Sequence, residues 1–313
     1  MQKNEIKPGV RHALTLVCFT AGLGAFGSFF RWLQNQTAFD KETGLGEPGF
    51  INVLVILVIL AAAAVIYLKL RRIGKEGFEL PDSVYDAFRG RTVVYPVVIW
   101  IIGIVMALGG IIALSNVRFD AQSTWFSIIA ALAIVSGLSF PMICTAARRR
   151  FAPGLVSLLM TLPVIMFCIW LVASYKLHAT NPVRWAYAIE ILALCAAIIA
   201  FFYTAGYPYG KAKPKSAVYA AAMGAFFCFM TIADERYAGL QLIFFASGLM
   251  LLMEIWMIVS NLRPIPEPAA QTEPEAPVES VEAPEAEVIA PDKPGESAEQ
   301  PLPEPTIEAP KRE

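Results

Sequence analysis

From Cys144 to Val156 the chain reads Cys-Thr-Ala-Ala-Arg148-Arg149-Arg150-Phe-Ala-Pro-Gly-Leu-Val, three consecutive arginines between two long apolar runs. The run before them covers residues 125–147 and the run after them covers 153–175. Each can cross a bilayer as a helix, which takes roughly 20 apolar residues. So short a connection makes a tight hairpin, and arginines between two spans belong on the cytoplasmic side. The tripeptide is thus a topology anchor that sets the facing of every other segment.

Six more runs of this kind lie outward from it, at 13–33, 50–70, 94–114, 183–203, 217–232 and 239–259. None alternates with period two, and an open sheet edge has no hydrogen-bond partners in lipid, so strands are excluded. The expected fold is all-α: a polytopic transmembrane helix bundle of about eight spanning helices. A cytoplasmic segment (1–12) precedes the membrane domain (13–263), and a tail (264–313) follows it. The basic start suits a signal peptide, but the first run is too long and a second soon follows. It reads as an uncleaved span.

The connections alternate in charge. Lys3, Lys7 and Arg11 precede the first run; Arg71, Arg72, Lys75, Arg89 and Arg91 lie in the second connection; Lys211, Lys213 and Lys215 lie in the sixth. Between them come Asp40, Lys41, Glu42 and Glu47, then Arg118 and Asp120, and finally Asp234, Glu235 and Arg236. Only the fifth departs, with Lys176 and Arg184. This alternation implies an even number of spans and both termini in the cytoplasm. Trp32, Trp125, Trp170, Trp185 and Tyr237 fall at outer helix ends, and Tyr67, Tyr203, Tyr207, Tyr209 and Trp256 near inner ends. All are expected as interfacial anchors. In the second connection, Pro81-Asp82-Ser83 opens a short helix whose Val84, Tyr85, Ala87 and Phe88 suit a membrane surface or an anionic-lipid site.

Composition agrees. The chain is 57% hydrophobic and 16% charged, where soluble domains carry about a quarter charged residues. The net charge of −1 hides an asymmetry: residues 264–313 hold 13 acidic and 3 basic residues, leaving the body at +9. Twelve of the tail's residues are proline. Such a segment cannot bury enough apolar surface to offset its ordering entropy, so disorder is expected. Its Pro264-Ile-Pro266 and Pro301-Leu-Pro303 clusters suit recognition by a cytoplasmic protein partner. The bilayer is the other expected partner; nucleic acid is not, because topology accounts for the basic loops.

Ionisable residues at membrane depth mark function. Glu190 sits about two turns into the sixth run from the outside, and Glu254 under two turns from the inner end of the eighth. Ser247, Glu254 and Asn261 recur every seven residues as a polar stripe. The fourth and fifth runs contain Pro141 and Pro163, which free the carbonyls of Gly137 and Leu159 and kink their helices. Freed carbonyls can hold ions or substrates in transporters. The hairpin through Arg148 is therefore the place to expect a hinge. Gly24 with Ser28, Gly103 with Ala107, and Ala193, Ala197 and Ala200 have the spacing of close helix contacts.

No catalytic motif, metal site or cofactor site is found. The two histidines, His12 and His178, lie outside the apolar runs, and the five cysteines lie within them without a Cys-x-x-Cys pair. Asn35-Gln36-Thr37 matches a glycosylation acceptor. Three classes follow. The first expectation is a non-catalytic scaffold, assembly or regulatory protein acting through its tail. The alternative is a small-molecule or ion transporter using Glu190, Glu254 and the kinked pair. An intramembrane enzyme comes last.

Overall fold

A computed structural model of the chain describes residues 8–39, 49–88, 94–116, 121–178 and 184–264, without the side chains of 121–123 and 184–186. Lys3, Lys7, Asp40, Lys41, Glu42, Glu47, Arg89, Arg91, Arg118, Asp120, the side chains of Arg184 and Trp185, and the tail from 265 lie outside the described residues.

Eight long helices account for the eight runs: α1 (Pro8–Thr37), α2 (Phe50–Lys75), α4 (Val94–Ser115), α5 (Ala121–Arg149), α6 (Pro153–His178), α7 (Arg184–Ala205), α8 (Pro214–Met230) and α9 (Ala238–Ser260). Among the described residues these eight are long and apolar enough to cross a membrane. The remaining elements are small: β1 (Phe78–Glu79), α3 (Val84–Ala87) and β2 (Arg263–Pro264), with 3-10 turns at Tyr207–Tyr209 and Thr231–Ala233.

The bundle is layered around α8 and α9. About 72% of each of these spans is buried, against 28% for α1 and 22% for α2. The shortest run is thus a central helix, and its sequence explains how. Ala217, Ala220, Ala221, Ala222, Gly224 and Ala225 let neighbouring backbones approach, and the turn Thr231–Ala233 extends it to 20 residues. On α1 the buried positions Gly9, Ala13, Leu16, Thr20, Gly24, Gly27, Arg31 and Gln34 step by three or four and form one face. Gly24 and Gly27 receive the rings of Phe229 and Phe226 from α8.

Bonds between distant segments define one end of the bundle. Gly9 at the start of α1 packs on the Ser260 carbonyl at the end of α9. Asn261 donates to the Ala87 carbonyl (3.1 Å), and Tyr85 donates to the Phe151 carbonyl (2.8 Å) just after the arginines. β1 pairs antiparallel with β2, Phe78 facing Pro264 and Glu79 facing Arg263, and Arg263 bridges Asp86 at 2.8 Å. This is the arginine end. Segment 78–88 closes over it: Leu80, Val84, Ala87 and Phe88 are buried in protein. The short helix expected on the membrane surface therefore forms, but its apolar face packs inward against the bundle.

Candidate functional site

The opposite end carries the site, and its framework starts with Arg31. Two turns before the end of α1, on the face buried against α8, Arg31 is 1% exposed. A buried guanidinium is costly unless paired and hydrogen-bonded. Its Nε donates to Oδ1 of Asp234 at 2.6 Å, and another nitrogen donates to Oε1 of Gln34 at 2.7 Å. Gln34 in turn donates to Asn52 of α2 at 2.7 Å.

Asp234 is the hub. It lies in the turn between α8 and α9, where the Gln241 amide donates to its backbone carbonyl (3.0 Å) and to that of Ile232 (3.3 Å). Its Oδ1 also accepts from Asn35 (3.1 Å), and its Oδ2 accepts from Arg236 (2.9 Å). Arg236 reaches onward to Oε2 of Glu190 at 3.1 Å, and Oε1 of Glu190 accepts from Ser174 at 3.1 Å. The chain Arg31–Asp234–Arg236–Glu190–Ser174 thus ties α1, the α8–α9 turn, α7 and α6 together. Two cations and two carboxylates balance within it.

This network forms one wall of a cavity of about 1050 Å³ at the same end. Its other surfaces are mainly aromatic: Trp32, Phe39, Phe126, Trp170, Tyr187 and Tyr237. His178 also lines it and stacks on Tyr187. Glu235 lies at its rim, exposed, and no cation pairs with it among the described residues. The floor is a packed aromatic layer. Trp170 meets Phe244 at 4.5 Å between ring centroids, Phe167 stacks on Trp170 at 6.2 Å and on Phe201 at 5.8 Å, and Arg236 sits 4.9 Å above Phe244.

Beyond that floor, toward the arginine end, lies Glu254. It is fully buried; Oε1 accepts from the Thr204 hydroxyl, one turn past Phe201, and Oε2 has no partner among the described residues. Among the described residues the buried Tyr207 hydroxyl also lacks a partner, and its ring packs on Phe88 of the closing segment. Glu190 and Glu254 therefore occupy separate environments on either side of the aromatic layer.

The remaining sequence candidates scatter. Ser247 is buried and donates to its own helix at the Ile243 carbonyl (2.7 Å), and Asn261 holds the closing segment, so the polar stripe of α9 divides among three tasks. Arg148, Arg149 and Arg150 are exposed at the arginine end, away from the cavity. Arg150 takes a left-handed conformation (φ 53), and the Phe151 amide bonds the Ala146 carbonyl at 3.0 Å. That is a Schellman closure of α5, a task usually given to glycine.

The kink at Pro141 is packed against α4. Pro141 frees the Gly137 carbonyl, but a Cβ added to Gly103 of α4 would lie 2.4 Å from that oxygen. A Cα–H of Gly103 therefore points at the freed oxygen, a weak hydrogen bond from a packed neighbour. Three nearby hydroxyls bond adjacent carbonyls, Ser139 to Ser136, Thr145 to Pro141, and on α6 Thr161 to Ser157, while the buried Ser136 hydroxyl has no partner among the described residues. Pro163 and Leu159 are both buried within α6.

Three expectations change. Trp170 and Tyr207 are buried in the interior and are not interfacial anchors. Asn35 directs its amide into the Asp234 turn (3.0 Å to the Ala233 carbonyl), which occupies the group a glycan would need. The ionisable residues at depth are not only the two glutamates, because Arg31, Asp234 and Arg236 join Glu190. Arg31 carried a sequence signal: it stands seven residues from Gly24 and four from Gly27, in phase with the helix's small-residue stripe.

Comparison with protein-family models, with curated proteins and with solved structures found no match to this chain.

Proposed function

We propose that this protein is a membrane transporter for a small organic cation, which docks in the aromatic cavity before crossing the bundle. The observation that carries the reading is what the cavity leaves uncommitted. Arg31 and Arg236 are consumed by Asp234 and Glu190, so the wall supplies little net charge. What remains in the lining is the Glu235 carboxylate and several aromatic rings. Ring faces attract cations, by about 0.5–2 kcal/mol per good contact. The cavity is also of the size that small-molecule sites occupy.

Transport is supported by what lies below. The aromatic layer of Trp170, Phe244, Phe167 and Phe201 separates the cavity from Glu254, and segment 78–88 closes the far end. A site open at one end and closed at the other is one half of an alternating-access cycle. Glu254, whose Oε2 has no partner among the described residues, is the residue assigned to the coupling ion or proton. The positive-inside rule turns the cavity outward, with both termini in the cytoplasm. Uptake of benzyltrimethylammonium into proteoliposomes tests the reading. Saturable uptake supports it, and uptake no faster than in empty liposomes overturns it.

A second reading, a scaffold recruiting a cytoplasmic partner, rests on the acidic proline-rich tail. It leaves the cavity without a role.

A further inference from the structure

A second cavity, of about 980 Å³, lies at the arginine end between the start of α1 and the end of α2. Its polar rim is Arg11, Lys69, Arg72, His12 and Glu76, and its base includes Leu16, Ile73 and Phe78. Glu76 is engaged from two sides, by His12 at 3.1 Å and by Arg72 at 3.4 Å. Among the described residues, no carboxylate pairs with Arg11 or Lys69. Lys69 instead sits 4.3 Å over the ring of Phe19. The rim thus carries cationic surplus above an apolar base.

We propose that this groove binds the phosphate of an anionic phospholipid, with an acyl chain lying between α1 and α2. Three observations on the page converge on that occupant. The groove joins the two least buried helices of the bundle, so its apolar base opens onto the surface that the bilayer covers. The charged rim lies at the ends of both helices, at the depth of lipid headgroups. Phe19 and Leu68, both exposed next to the groove, provide an apolar face for the chain. Basic residues at the membrane surface attract anionic lipid, and long cationic side chains place their stems on apolar surface and their heads at the interface, as Lys69 does on Phe19. The occupant would brace the outermost pair of helices against the rest of the bundle. This site is independent of the outer cavity and of the transport reading.

The test uses the full chain, purified from membranes holding equal amounts of phosphatidylglycerol and phosphatidylcholine, with retained lipid counted by native mass spectrometry. The wild type should retain phosphatidylglycerol selectively. Replacing the two unpaired cations, Arg11 and Lys69, by Gln should lower that selectivity about fivefold per residue, roughly twenty-fivefold together. The control Lys211→Gln/Lys213→Gln, which removes basic residues outside the groove, should keep it. Thermal unfolding in phosphatidylcholine alone confirms that both variants fold. Equal retention of the two lipids by the wild type overturns the proposal, as does equal loss in both variants. If millimolar inorganic phosphate displaces no lipid, yet stabilises lipid-free protein as phosphatidylglycerol does and loses that effect in the Arg11/Lys69 variant, the site is one for free phosphate and the lipid assignment fails.

Discussion

Arg31 and Asp234 stand 203 positions apart in the chain and 2.6 Å apart in the bundle, each almost wholly withdrawn from solvent. Removing one member of a buried pair leaves the other charge uncompensated and costs about 3–5 kcal/mol, whereas replacing both with apolar groups is often close to neutral. Arg31→Met and Asp234→Leu should each sharply lower the unfolding midpoint in detergent. The double variant should recover most of the loss. A double variant as unstable as the sum of the singles would mean that the pair is not the unit holding α1 to the α8–α9 turn.

Gly103 and Gly137 face each other where α4 crosses α5, with each carbonyl lying where the other's Cβ would stand. Overpacking a filled contact costs about 1–3 kcal/mol, more where backbone must move. Gly103→Val should therefore destabilise the fold strongly, while Gly22→Val, at a site with open space around it, should not. Comparable unfolding midpoints for the two variants would refute the assigned crossing.

Arg150 holds a left-handed conformation that costs a non-glycine residue roughly 1–2 kcal/mol. Arg150→Gly should raise the unfolding midpoint modestly, and Arg148 and Arg149 should preserve the orientation. A reporter fusion after Arg263 checks that orientation, and a cytoplasmic signal is expected in both proteins.

Glu254 lies beyond the aromatic floor, so it should govern coupling and leave docking alone. Glu254→Gln is expected to abolish gradient-driven uptake of benzyltrimethylammonium while leaving its equilibrium binding within about twofold. A parallel loss of binding would place Glu254 in the cation site itself. Deleting residues 267–313 should leave both activities intact; loss of uptake on truncation would favour the scaffold reading, with the tail as the working part.

Much of this architecture was legible in the linear sequence. Run length and the alternating basic connections identify eight helices, because crossing lipid leaves a helix few ways to differ from its composition. The short run 217–232 shows the limit. It is the shortest of the eight runs, yet its alanines and glycine make it a central helix, since burial inside a bundle depends on side-chain size. The site was half legible. Glu190 stood out as a carboxylate within an apolar run. Its partners Asp234 and Arg236 looked like ordinary turn residues, and Arg31 sat near a helix end where arginine is commonplace. What joins them is tertiary: an α8–α9 turn folded back over the ends of α1, α6 and α7. The surroundings of the Pro141 kink were not legible in the sequence. Pro141 frees the Gly137 carbonyl, but Gly103, 34 residues before Gly137, packs against it, and no local pattern couples the two.

The central claim is that the outer cavity selects a cation by aromatic faces and a single carboxylate. Trp32 and Trp170 line it, so ligand binding can be read from tryptophan fluorescence in nanodiscs. The measurement is a titration with benzyltrimethylammonium, benzyl alcohol and benzenesulfonate, repeated on Glu235→Gln. The expected result is saturable quenching by the cation alone, weakened about fivefold or more in the variant. Equal responses to all three probes, or preference for the sulfonate, would contradict it.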